Sequence, residues 1–188
     1  MYRAVTWKVL DNDLNINNTS AIIELMKELN ISFTSPDKLG KSKVIVNGQI
    51  LNKEIRQPIV DKNVSVVASI PEVRAEMVKM QQDIAEDKKI VMDGRDIGSR
   101  VLPEADLKLY LTASIEERAK RRFEDLKTNN PDLSIENVKK QIEKRDYLDK
   151  NREHSPLIKT DDALCIDTTN MNINETLNYI IKIIKEGE

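Results

Sequence analysis

From Lys89 onward, short apolar runs alternate with capped amphipathic segments, and this alternation leaves few architectures open to the chain. The runs are Lys89–Met92, Leu107–Thr112 and Ala163–Asp167, each of the length and character of a buried parallel strand. Between and after them, residues 114–127, 134–152 and 173–185 carry helical periodicity. Ser114 and Glu117 have the spacing of a capping box, and Leu133 ahead of Ser134 can staple to Val138. The pattern predicts an α/β layer structure in which strands from residues 89–112 and 163–167 lie parallel in one sheet.

The first ninety or so residues read differently. Residues 1–10 have a helical pattern, yet Met1, Tyr2 and Arg3 enter it with no Ser, Thr, Asp or Asn ahead of them. Thr19 or Ser20 is expected to cap a second helix, with Ile22, Leu25, Met26 and Leu29 on one face. Ile31–Thr34 and Val44–Val46 read as strands, and Asn47-Gly48 before Gln49-Ile50-Leu51 predicts a tight hairpin. Pro58 breaks or starts a helix, and Pro71 suits the first turn of another that bears Val73, Met77, Met80 and Ile84. Residues 31–74 are therefore expected to form a compact insert within a single domain.

Bulk properties exclude several functions. Lys+Arg 30 against Asp+Glu 32 gives a formal net charge of -2, so no whole-molecule field draws the chain to nucleic acid or anionic membrane. A hydrophobic share of 39% is too apolar for a disordered chain. Cys165 is the only cysteine, which rules out an intrachain disulfide and a Cys-based zinc site. It is expected as a small buried residue in its strand. With no membrane-length apolar run and no signal-peptide pattern, a reducing cytoplasm is the expected compartment. His154, beside Ser155-Pro156, reads as a surface imidazole.

Any anion site must come from local clustering, and the arginines supply candidates. Helical spacing puts Arg145, Asp149 and Arg152 on one face, and Arg118, Arg121 and Arg122 on one face of the preceding helix. Taken singly, either face is accounted for by solvated ion pairs. Converging guanidiniums, however, can hold phosphate oxygens and neutralise a migrating phosphoryl group. Asp93-Gly94-Arg95-Asp96 follows an expected strand, where ligands bind in open parallel sheets; a tight turn with Gly94 chosen for its backbone angles is the plainer alternative. Asn129-Asn130-Pro131-Asp132 marks a loop at which a lid could hinge.

Several segments occur together in the order and spacing of one family. They are Tyr2-Arg3, Gly48, Glu54-Ile55-Arg56, Val64-Ser65-Val66-Val67-Ala68, Pro71-Glu72-Val73-Arg74, Asp93-Gly94-Arg95-Asp96-Ile97-Gly98, Leu111-Thr112-Ala113-Ser114, Glu117-Arg118-Ala119-Lys120-Arg121-Arg122, and Arg145-Asp146 with Asp149-Lys150-Asn151-Arg152. In these the chain resembles the bacterial cytidylate kinases, which are nucleoside monophosphate kinases, from residue 1 almost to the C-terminus. The resemblance implies a P-loop NTPase-like parallel sheet core flanked by helices, an NMP-binding insert at 31–74, and a lid with its following helix at 114–152. It also implies a preceding βα unit with a glycine-rich phosphate loop, which these residues do not supply, so the chain is expected to be a truncated form. Gly40-Lys41-Ser42 does not replace it, since Ser35 stands where the first glycine belongs and a strand follows instead of a helix.

By the same resemblance the reaction moves a phosphoryl group from ATP, with Mg²⁺, to CMP or dCMP. Asp96, Arg74 and Ser65 would read cytosine, whose amino group needs an acceptor and whose N3 and O2 need donors. Arg145 and Asp149 would hold the ribose, while Arg3, Arg95 and Arg152 approach the phosphates. Arg118, Arg121 and Arg122 would close over ATP. Asp93, ending an expected strand, would hold Mg²⁺ directly or through water, or else make a structural hydrogen bond to the neighbouring loop. A monomer without nucleic-acid or membrane partners is expected. Lacking the loop, the chain is expected to be inactive alone; the alternative is a catalytically silent remnant that still binds CMP.

Overall fold

Helix α1 (Tyr2–Asp11) starts without a side-chain cap, in agreement with its sequence, and is held instead by what it buries: Ala4, Val5, Thr6, Trp7 and Val9. Helix α2 (Thr19–Lys27) is capped one residue earlier than expected. The Asn18 side chain accepts from Ala21 N at 3.1 Å, so Thr19 and Ser20 are already inside the helix. Strands β1 (Ile31–Phe33), β2 (Val44–Val46) and β3 (Gln49–Leu51) form an antiparallel sheet in the order β1-β2-β3. Asn47 and Gly48 both have positive φ, 47° and 83°, as the two-residue hairpin requires. The Asn47 side chain also accepts from Asn30 N at 2.7 Å, tying the turn to the entry of β1. After a 3₁₀ turn at Glu54–Arg56 come α3 (Pro58–Val67) and α4 (Pro71–Ala85), each with proline in its first turn.

The computed structural model describes all residues except Leu39, Pro131, His154, Gly187 and Glu188, so the reading of His154 and part of the expected hinge at 129–132 lie outside the described residues. The chain divides into two compact units, residues 1–91 and 92–188. In the first, Val5 and Val9 of α1, Ile22 and Met26 of α2, Val46 and Leu51 of the sheet, Val60 and Val67 of α3, and Val73 and Met77 of α4 share one core. Each such side chain contributes about 1.5–3 kcal/mol on burial. The segment 31–74 thus packs in common with α1, α2 and α4.

In the second unit, β4 (Leu109–Thr112) and β5 (Leu164–Asp167) pair in parallel, with Leu109 opposite Leu164 and Thr112 opposite Asp167. Helices α5 (Ile115–Leu126), α6 (Ile135–Asn151) and α7 (Ile173–Glu186) complete the α/β alternation. Ser114 and Ser134 cap α5 and α6 by accepting from Glu117 N and Asn137 N, both at 3.2 Å. Two expectations fail here. Residues 89–92 are not a strand, and Val91 is 98% exposed. A parallel strand exists only through neighbours that take up its backbone hydrogen bonds, and β4 and β5 pair with each other. Cys165 is exposed, because side chains alternate along β5 and Ile166 takes the inward position.

Candidate functional site

In the second unit, Arg95, Asp96, Arg145, Asp149 and Arg152 gather at the end of α6. Arg145 and Asp149, four residues apart, fall on one stripe of α6, and Arg152 is the extended residue that ends the helix. Asp149 Oδ2 lies 3.1 Å from Arg95 Nε and 3.9 Å from Arg145 Nε, and Asp149 Oδ1 lies 3.6 Å from Arg152 NH1. Arg152 NH2 stands 3.9 Å from Asp96 Oδ1, while its Nε donates to Ser155 O at 2.5 Å. The loop after α6 returns to the same place, with Leu157 N donating to Asp149 O at 2.7 Å.

Burial grades this cluster. Asp96 is 5% exposed, and the side chains of Asp149 and Arg152 are 15% and 16% exposed. Arg95 and Arg145 lie further out. Three guanidiniums therefore face two carboxylates, an excess of one positive charge, with Arg95 and Arg145 the more exposed of the three.

Asp93-Gly94-Arg95-Asp96 leads into a single π-helical turn, Ile97–Val101, instead of closing a strand. Val101 N and Arg100 N both donate to Asp96 O, so the backbone that carries the buried carboxylate is fixed from behind. Gly94 is not in a positive-φ conformation, and a Cβ there would come within 2.8 Å of Ile97 Cγ1, so the Ile97 side chain would have to shift to admit one. Asp93 itself is exposed, and among the described residues no group of three or more His, Cys, Asp or Glu side chains gathers as a metal site.

The three arginines of α5 are not equivalent. Arg118 donates from Nε to Ala113 O at 3.0 Å and from NH1 to Asp146 Oδ2 at 2.5 Å, joining α5 to α6. Arg121 donates from NH2 to Thr168 O at 2.7 Å and Met171 O at 3.0 Å, from NH1 to Thr168 Oγ1 at 3.2 Å, and from Nε to Glu117 at 2.8 Å. Its guanidinium thus fastens α5 to the end of β5. Arg122 is exposed on the same helix.

The first unit holds the remaining expected residues. Arg74, 4% exposed, donates from NH1 to Ala68 O at 3.0 Å, and its guanidinium carbon lies 5.3 Å from the centre of the Tyr2 ring. Ser65 is on the exposed side of α3, between buried Val64 and Val67. Arg3 donates from NH1 to Ile55 O at 2.9 Å and forms an ion pair through NH2 with Asp61 of α3. Asp61 and Thr168 escaped the sequence reading, since nothing local distinguishes them from any helix-start acid or strand-end threonine. Asp146 was visible beside Arg145, but without a partner to suggest its use.

The α/β scaffold carries a cluster of arginines and carboxylates around Asp149, and comparison with known proteins identifies the family. The cytidylate kinase family model matches residues 1–186. Among curated relatives, "Cytidylate kinase" of Alkaliphilus metalliredigens is 43% identical over 188 residues, covering 100% of this chain and 83% of that protein. "Cytidylate kinase" of Bacillus licheniformis is 45% identical over 185 residues, covering 98% of this chain and 81% of its own. That of Caldanaerobacter subterraneus subsp. tengcongensis is 44% identical over 187 residues, with 100% and 81% covered. The chain belongs to the cytidylate kinase family, a family of phosphotransferases. Among the described residues no helix is long and apolar enough to cross a membrane.

Proposed function

We propose that this chain recognises CMP and dCMP as a member of the family that phosphorylates them from ATP, and that the cluster centred on Asp149 is the observation that carries this reading. Arg95 and Arg152 receive the nucleotide phosphate, where their planar forks match its oxygens. Asp149, held by Arg145, accepts from the ribose hydroxyls. Asp96 accepts from the cytosine amino group, and Arg74 and Ser65 donate to the ring. Uracil is disfavoured because its O4 would face the Asp96 carboxylate. Arg3 adds a further phosphate contact.

Mg²⁺ would reach the site on the phosphates of ATP, with Asp93 offering one oxygen directly or through water; a single exposed carboxylate suits a cation that keeps most of its waters. When bound there, the cation would supply positive charge to offset the negative charge developing on the transferred phosphoryl group. The α5 arginines Arg118, Arg121 and Arg122 are assigned as a group to the phosphoryl group in flight.

No stretch of the 188 residues matches G-x-x-x-x-G-K-[ST]. For these residues by themselves, CMP binding without transfer is therefore the favoured description. Incubation with labelled ATP and CMP tests it against a version extended by a strand, a glycine-rich loop, a helix and a second strand. The extended version is expected to make CDP at least about a hundredfold faster, because one lost donor of this electrostatic kind is worth about a hundred- to a thousandfold. Equal rates would overturn the reading.

A further inference from the structure

The pairing of Arg3 with Asp61 carries an inference beyond the family assignment, and it rests on the proposed phosphate role of Arg3. Arg3 sits on α1 and Asp61 on α3, and both side chains are 33% exposed. Arg3 has five N–H donors in a rigid plane. NH1 is directed to the Ile55 carbonyl and NH2 to the Asp61 carboxylate. Two anchors on different atoms of one plane fix both the position and the tilt of the guanidinium, and three N–H groups remain by count. A free arginine on a helix surface would instead sample many rotamers and would have to be ordered when ligand arrives.

We infer that Asp61 is a positioning residue for phosphate capture: it holds the Arg3 guanidinium in place before the nucleotide monophosphate binds, and does not itself touch the ligand. A carboxylate beside an arginine also repels an incoming phosphate. At one-third exposure and physiological salt that repulsion of an approaching phosphate is screened more than the Arg3–Asp61 pair in direct contact, and the hydrogen bond to Ile55 O holds the same plane, so repulsion is the smaller effect.

The inference separates CMP from cytidine, which lacks the phosphate. Calorimetric titration of the 188-residue protein with each ligand gives the wild-type preference for CMP. Asp61→Ala is expected to lower that preference about three- to tenfold, the factor that ordering one long side chain in advance is worth, and to leave cytidine affinity unchanged. Asp61→Asn keeps an oxygen acceptor and is expected to retain most of the preference. Equal losses for both ligands would mean that Asp61 only stabilises the unit, and a preserved or increased preference in Asp61→Ala would mean that it competes with phosphate; each overturns the inference while the CMP reading stands. A wild type that binds CMP no better than cytidine would overturn both.

Discussion

Thr169 joins the end of β5 to the start of α5, and its hydroxyl has two jobs. It accepts from Ser114 N at 2.9 Å and donates to Asp167 Oδ1 at 2.5 Å, while Thr169 N donates to the same oxygen at 2.9 Å. These donors hold the Asp167 carboxyl below its ordinary pKa of 3.8, the hydroxyl first and the amide second. With a depressed folded-state pKa, the contribution of Asp167 to stability is present above the unfolded value and is lost as pH falls through the folded one. In Thr169→Ala only the amide remains, so the Asp167 midpoint in a carboxyl NMR titration is expected to rise towards the ordinary value. An unmoved midpoint would assign the depression to some other group. In Asp162 the order differs: its carboxyl is held down first by Lys108, across a 2.5 Å ion pair, ahead of Thr160 in its own turn.

At the level of elements, local chemistry was legible and so was the parallel pairing of β4 with β5, whereas the strand expected at residues 89–92 is absent. The Asn47-Gly48 hairpin, the proline starts of α3 and α4 and the serine caps of α5 and α6 each depend on residues within four positions of one another. Lys89–Met92 had the composition of a strand, but a strand needs partners that composition does not specify. The fastening of α5 by Arg121 is likewise invisible in sequence, because its acceptors, Thr168 and Met171, lie 47 and 50 residues away. Thr168 N donates to Thr112 O at 2.8 Å and its hydroxyl to the same oxygen at 3.0 Å, so the Arg121 contacts brace the point at which β4 and β5 end. Arg121→Ala is expected to weaken that point by about 1–2 kcal/mol, roughly five- to thirtyfold faster hydrogen exchange at Thr168 N–H. Unchanged exchange would mean that these hydrogen bonds are replaced by water at no cost.

Over the whole chain, recognition came from many short segments in order, more than from any one of them, and the stripe of Arg145 and Asp149 on α6 was the part of the site that helical spacing alone could place. The depth of Asp96 was not legible, since its burial comes from the π turn behind it and from Arg152 beyond the end of α6. That buried carboxylate is the group by which cytosine would be told from uracil, and its removal has opposite consequences for the two. In Asp96→Asn the amide can rotate to donate to uracil O4, so the penalty against UMP shrinks as the CMP contact weakens. Calorimetric titration of CMP and UMP into the 188-residue protein and into Asp96→Asn is the most direct measurement. CMP is expected to bind about tenfold or more tightly than UMP in the wild type, with the ratio collapsing in the variant while its circular dichroism is unchanged. Equal wild-type affinities, or a ratio that survives the substitution with both ligands weakened alike, would contradict recognition of CMP through Asp96.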